Sequence, residues 1–226
     1  GGKCLMAATE RRPIAARNWR LSQDCADWLA RRGVSPNAIS IFGMLCAVAG
    51  GAALAATRIE GFATAGFLVA AAMMQARLLC SIFDGMVAIA QGRASRVGEL
   101  YNEIPDRISD AAFFAGAGYA AGGDALLGLV AAWLAVFVAY VRVSGRAAGA
   151  HHEYCGPMAK QQRMALLTAA SLYAGLAPAA LQPSWSLFPG RGTMAGARAG
   201  MNVSAIATVV RRLTKISAAL RSQPNE

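Results

Sequence analysis

The sequence alternates long charge-free runs with short basic segments. No charged residue falls in 37–57 or 62–76, Asp124 alone interrupts 111–141, and 164–190 is again uncharged. A helix crossing the hydrocarbon core needs about 20 mostly apolar residues, so these runs are long enough to span. Lipid leaves every backbone polar group to be satisfied internally, and a helix does that within one segment. The pattern predicts spans at 37–57, 62–91, 99–121, 124–143, 164–182 and 193–210. The last is the least apolar: 184–200 carries Pro189, four glycines and Arg198. An arginine near a span's end can snorkel to the interface.

Ahead of the first span, 16–32 has helical periodicity. Leu21, Cys25, Trp28 and Leu29 fall on one face, with Arg17, Arg20, Asp24, Asp27 and Arg31 on another. A basic amphipathic helix with Trp19 and Trp28 suits the surface of a membrane. Gly33 and Pro36 end it.

Composition agrees with this reading. Hydrophobic residues make up 56 % of the 226, charged residues only 15 %, and mean hydropathy is +0.39. A soluble domain carries about a quarter charged residues. Abundant Ala and Gly suit closely packed membrane helices. The net charge of +10 raises the question of nucleic acid, and the placement of the cations answers it. With the N-terminus cytoplasmic, seventeen of the 22 basic residues fall on one side, against only Arg58 and Arg191 in the opposite loops. That is the positive-inside asymmetry. Topology and anionic lipid account for the charge, and no nucleic-acid partner is expected. The five cysteines show no C-x-x-C pair and imply no disulfide framework. The first 36 residues lack an apolar core segment, so no cleavable signal peptide is expected.

Five of the twelve acidic residues, Asp84, Glu99, Glu103, Asp106 and Asp110, lie between 84 and 110. Ionisable groups in spans are expensive and face a cavity, a partner or a metal. Asn102, Asp106 and Asp110 are spaced four apart and share one helix face, as do Ser81 and Asp84 on the preceding helix. Two antiparallel helices joined around 92–97 bring these faces together. Such a cluster of oxygens suits Mg²⁺ or Mn²⁺.

The stretch SIFDGMVAIAQGRASRVGELYNEIPD, residues 81–106, resembles the signature of the CDP-alcohol phosphotransferases. That signature reads D-x-x-D-G-x-x-A-R, eight residues, then G-x-x-x-D-x-x-x-D. Asp84, Gly85, Ala88, Gly98 and Asp106 match without a gap, and Ser95 and Arg107 are similar to the family's pattern. Pro36-Asn37 with Ser40 resemble the opening of its first span, and Gly156 to Lys160 its glycine-lysine loop. Three positions depart: the first aspartate is Ser81, the third is Asn102, and the motif's arginine is Ile89.

The resemblance implies that Asp84 is the metal carboxylate, with Ser81 and Asn102 as neutral oxygens beside it. It implies that Asp106 is both a neighbour of the metal and the general base on the acceptor hydroxyl. The quartet carries two formal charges where the family has four, and Glu103 or Asp110 is the candidate to compensate. With Ile89 replacing arginine, the phosphates fall to Arg93, Arg96, Arg107, Arg142, Arg146, Lys160 and Arg163. Gly85, Ala88, Gly98 and Asn37 are assigned to the substrate surface by the same resemblance, although Gly85 and Gly98 also permit close helix approach.

Bland readings stand beside these. Glu103 is expected to neutralise Arg107 one turn on, Arg77 to pair with Asp110, and Pro105 to kink its helix beside the site. His151, His152, Glu153 and Cys155 match no zinc spacing and read as a solvated loop.

The expectation is an all-α membrane bundle of about six spans with an interfacial N-terminal helix. Its parts are 1–35 cytoplasmic, 36–213 transmembrane and 214–226 a cytoplasmic tail, in the cytoplasmic membrane. By resemblance it is a homodimeric, Mg²⁺- or Mn²⁺-dependent transferase of phospholipid synthesis. It would move a phosphatidyl group from CDP-diacylglycerol to an acceptor alcohol and release CMP. The changes at Ser81, Ile89 and Asn102 support the alternative, a non-catalytic relative binding nucleotide-lipid or a protein partner. A small transporter would place its charges towards the bilayer midplane, whereas most gather at the cytoplasmic end.

Overall fold

The structure is a computed structural model describing residues 20–92, 96–150, 160–183 and 192–221. These residues form α1 (Arg20–Arg31), α2 (Pro36–Ala56), α3 (Ala63–Ala90), α4 (Arg96–Gly118), α5 (Ala125–Ala147), α6 (Lys160–Leu176) and α7 (Thr193–Arg221). One short 3₁₀ turn, Ala179–Leu181, precedes α7, and no strand occurs among the described residues.

Local chemistry sets the helix starts. Ser35 caps α2 by accepting from Ala38 N–H at 3.0 Å, and Pro36 opens the helix where its missing N–H is harmless. Asp124 caps α5 in the same way, through Leu127 N–H at 2.9 Å. The 21 residues of α2 make a rod about 31 Å long, the thickness of a hydrocarbon core. Of the seven helices, α2, α3 and α5 are long and apolar enough to cross a membrane. The charges described below lie largely on α4, α6 and α7.

The six long helices close a ring. α2 packs on α3 and α4, α4 on α5, α5 on α7, α7 on α6, and α6 returns to α3. Met74, Phe113, Phe114, Met164, Leu167, Met194 and Met201 fill its centre. Between α2 and α4 the backbones touch: a Cβ on Gly116 would stand 2.2 Å from the Gly51 carbonyl oxygen, and one on Gly51 2.4 Å from that of Ala112. Only glycine fits there.

At one end the turns are tied together. Thr57 Oγ1 accepts from Ala121 N–H at 2.8 Å, and the Gly122 carbonyl accepts from Gly192 and Ala195 at 2.9 and 3.0 Å. α3 ends and α4 begins at the other end, which carries the polar cluster.

Several boundaries differ from the sequence expectation. α4 starts at Arg96 rather than 99 and ends at Gly118, whereas α6 starts at Lys160 rather than 164. The helix expected to stop near 210 runs on to Arg221, because no Gly or Pro interrupts 201–221. α1 is described from Arg20 and touches the bundle through Ala26, Leu29 and Ala30, packed near Ile39, Cys80 and Val87. Leu21, Cys25 and Trp28 point away and are exposed, with Arg32 stacked 5.2 Å over the Trp28 ring. Gln91 Nε2, donating to the Val34 carbonyl at 3.0 Å, fastens the end of α3 to this segment.

Candidate functional site

Ser81 and Asp84 lie one turn apart near the end of α3, and Asp106 and Asp110 one turn apart on α4. Asp84 is buried. Its Oδ2 accepts from Ser40 Oγ of α2 at 2.7 Å, while its Oδ1 is buried with no hydrogen-bond partner. A buried anionic oxygen left open is costly unless something cationic meets it.

Asp106 is surrounded by cations. Its Oδ1 accepts from Arg77 Nη2 and from Lys160 Nζ, the latter at 2.6 Å, and its Oδ2 lies 3.6 Å from Arg107 Nη2. Lys160 Nζ also stands 3.3 Å from Ser81 Oγ, so the ammonium lies between the first and last positions of the 81–106 motif. Arg77 is fully buried two turns deeper on α3, and its Nε donates to Ser109 Oγ at 2.9 Å. Ser109 donates in turn to the Pro105 carbonyl at 2.6 Å. Arg77 therefore meets Asp106 and not Asp110, correcting the expected pairing.

Asp110 is almost fully buried and belongs to Arg163 of α6, at 3.0 Å, with Arg107 Nη1 at 3.7 Å. Glu103 is half exposed and engages Arg142 of α5, with Arg107 Nη2 at 3.7 Å. The expected Glu103–Arg107 pair is present, shared with Arg142. Arg163 and Arg198 both approach the Phe114 ring, at 5.6 and 5.0 Å, as cation–π contacts. Arg198 Nη2 also donates to the Phe114 carbonyl at 2.8 Å.

Three carboxylates (Glu103, Asp106 and Asp110) thus meet five cations, Arg77, Arg107, Arg142, Lys160 and Arg163, while Asp84 is bonded through Ser40. Arg107 Nε and both Nε and Nη1 of Arg163 are buried donors without a partner. Such groups suit an incoming phosphate.

The structure gathers Ser81, Asp84, Asp106, Arg107, Asp110, Lys160 and Arg163 at one end of the ring. Asn102 lies on the Asp106 side of α4 but is exposed, and Arg146 is exposed at the end of α5. Asn37, Gly85, Ala88 and Gly98 are half-buried around the cluster's helices. Arg142 is engaged by Glu103. Arg93, Ser95, His151, His152, Glu153, Cys155 and Gly156 to Ala159 lie outside the described residues. Ser40 and Ser109 escaped the sequence reading as ligands of the site. Arg77 did carry a signal, being the only charge between 62 and 83.

A divalent cation asks for several hard oxygens. Among the described residues no three His, Cys, Asp or Glu side chains converge. The open Asp84 Oδ1 fits such an ion, whereas the Asp106 Oδ1 is already taken by Arg77 and Lys160.

The sequence model of the CDP-alcohol phosphatidyltransferase family matches residues 33–210. A phosphatidylinositol phosphate synthase of Streptomyces avermitilis is 27 % identical over 160 residues, 67 % of this chain and 62 % of that protein. The match therefore spans less than two thirds of the relative's length. Among solved structures, the phosphatidylinositol phosphate synthase of Mycobacterium tuberculosis in complex with manganese and citrate superposes with TM-score 0.71 at 19 % identity. That superposition covers 90 % of this chain and 93 % of the other. The same enzyme with CDP-DAG bound gives TM-score 0.71 and 19 % identity, covering 92 % and 100 %. These superpositions establish the fold.

Proposed function

Because the chain belongs to the CDP-alcohol phosphatidyltransferase family, we propose that it transfers a phosphatidyl group from CDP-diacylglycerol to an acceptor alcohol, releasing CMP. The acceptor hydroxyl oxygen forms the new bond to phosphorus, and the phosphoanhydride bond breaks with its electron pair leaving on CMP. The proton passes from the hydroxyl to a carboxylate and thence to solvent.

One observation carries this reading. Asp106 Oδ1 is anchored by Arg77 and Lys160, which leaves Oδ2, beside Arg107, as the oxygen able to take the acceptor's proton. The unpartnered donors of Arg107 and Arg163 are the groups to hold phosphate. They favour an acceptor that itself bears a phosphate, in keeping with the product for which both relatives are named, phosphatidylinositol phosphate. The family uses Mg²⁺ or Mn²⁺, which neutralises the pyrophosphate and the charge developing on the leaving group. Asp84 Oδ1 would hold it, with Ser81 and Asn102 as neutral oxygens nearby. Gly85, Ala88, Gly98, Asn37, Arg142 and Arg146 complete the proposed substrate surface. We place the protein in the cytoplasmic membrane with six spans, both termini cytoplasmic, and α1 on the membrane surface; a homodimer is the proposed assembly.

The test is CMP release by the detergent-purified protein, given CDP-diacylglycerol, Mg²⁺ or Mn²⁺ and acceptors with and without a phosphate. Release that disappears in Asp84→Asn and Asp106→Asn supports the transferase. No release from any acceptor by folded protein favours the second reading, a relative that binds nucleotide-lipid without turnover. The observation behind that reading is the pair of cations already seated on Asp106.

A further inference from the structure

The motif's first position and its last are joined here by a side chain from elsewhere in the fold. Lys160 is the first residue of α6, the helix that closes the ring against α3. Its ammonium reaches back to Asp106 Oδ1 at 2.6 Å and to Ser81 Oγ at 3.3 Å. The lysine is only one-fifth exposed, and Arg77 holds the same Asp106 oxygen from the buried side. Any ion lying between positions 81 and 106 has to displace this ammonium or bear its repulsion at contact distance.

The chemistry at 81 matches the cation beside it. A serine offers a neutral oxygen, which a lysine N–H can address but which attracts a divalent ion weakly. A carboxylate at 81 would add a second full charge next to Asp106 and draw such an ion in. With serine at 81 the ammonium faces Asp106 as the single carboxylate of this pair, and no second acid draws an ion in beside it. On the other side of the motif the situation is reversed. Asp84 Oδ1 is buried and meets no donor, although Ser40 satisfies its other oxygen.

We infer that Lys160 is the resident cation of this site: its ammonium takes the place between residues 81 and 106, and a divalent ion enters only on the Asp84 side, one per chain. The inference rests on the family reading of the site but not on turnover. It gives Lys160 a role distinct from the surface arginines, since a chain-borne charge cannot exchange with solvent or be removed by a chelator. It also accounts for a quartet with only two acids, because the positive charge is fixed and needs fewer anions to retain it.

The test counts ions rather than products. Mn²⁺ is titrated into purified protein in detergent and free ion is followed by its EPR signal. Wild type is compared with Lys160→Gln, Lys160→Gln/Ser81→Asp and Asp84→Asn, each checked for helicity and monodispersity. The expected result is one Mn²⁺ per wild-type chain, lost in Asp84→Asn. Lys160→Gln tightens that site about tenfold by removing a neighbouring positive charge. Lys160→Gln/Ser81→Asp takes up a second ion whose spin broadens the signal of the first. Two ions in wild type, none in wild type, or affinity and count unchanged by Lys160→Gln would each overturn the inference. Should the double variant misfold, the affinity change in Lys160→Gln alone still decides. Because binding is read without substrate, a chain that binds as expected yet releases no CMP sinks the transferase reading and leaves this one standing. The reverse outcome separates them equally well.

Discussion

Ser40 Oγ donates to Asp84 Oδ2 at 2.7 Å, across 44 positions of sequence, and is the only side chain hydrogen-bonded to that carboxylate among the described residues. Both groups are buried, so the bond fixes the rotamer of the acid whose other oxygen stands open. α2 is thus part of the site, although it carries no charge of its own.

Ser40→Ala is therefore expected to destabilise the protein by about 1.5–3 kcal/mol, the range for a hydrogen bond to a charged group. Ser40→Thr keeps the hydroxyl and should recover most of the loss. Thermal melting in detergent checks both, and equal melting of wild type and Ser40→Ala would mean that the bond contributes nothing.

The Arg77–Asp106 pair predicts a larger effect. Arg77 is fully buried and shared between Asp106 and Ser109, so Arg77→Met leaves a carboxylate countered by Lys160 and, at 3.6 Å, by Arg107. Breaking one half of a buried pair costs about 3–5 kcal/mol, and the remaining lysine puts this case near the lower bound. In Arg77→Met/Asp106→Asn the orphaned charge is gone, and the double variant should melt above the single one. Simple additivity of the two losses would show that the residues are not coupled.

The helices were legible in the sequence to the extent that charge was absent from them. α2, α3 and α5 follow from uninterrupted apolar runs, and Ser35, Pro36 and Asp124 mark two of their starts. α4 and α7 were placed less well, because Glu103, Asp106, Arg198 and Arg211 break the apolar signal that defines a span. The motif put Asp84 and Asp106 at one end, and spacing put Asp110 on the same face as Asp106. What faces those acids was not legible. Arg77 reaches either Asp106 or Asp110 by depth alone, and the choice depends on the rotation of α3 against α4. Lys160 and Arg163 arrive because α6 closes the ring on α3, a long-range contact that no local pattern encodes.

Backbone contact between α2 and α4 gives a steric prediction. Gly116→Ala places a methyl 2.2 Å from the Gly51 carbonyl oxygen, and no flexible side chain is there to yield. Overpacking of this kind costs about 1–3 kcal/mol, and Gly116→Leu should prevent accumulation of folded protein. Gly200 on α7 is the control, since a Cβ there meets nothing within 4 Å. Gly200→Ala should raise stability by about 0.5–1 kcal/mol through backbone entropy. Equal melting of the two alanine variants would refute the close approach.

The buried arginines predict a response to anions. Arg163 Nη2 is spent on Asp110 at 3.0 Å, but its Nε and Nη1 are buried without partners, and Arg107 Nε is in the same condition. Donors of that kind gain most from an anion with several oxygens, because their desolvation has already occurred. Inorganic phosphate should therefore raise the melting temperature, by an amount set by mass action: about 2.7 kcal/mol at a hundred times the dissociation constant. Arg163→Gln removes the charge and shortens the side chain while leaving it polar, and should abolish most of this protection while also weakening Asp110's anchorage. Chloride at matched ionic strength separates specific binding from screening, which acts on exposed charges and little on these buried ones. Protection by chloride equal to that by phosphate, or an undiminished phosphate effect in Arg163→Gln, would mean that Arg163 stabilises the fold and takes no part in holding the substrate's phosphates.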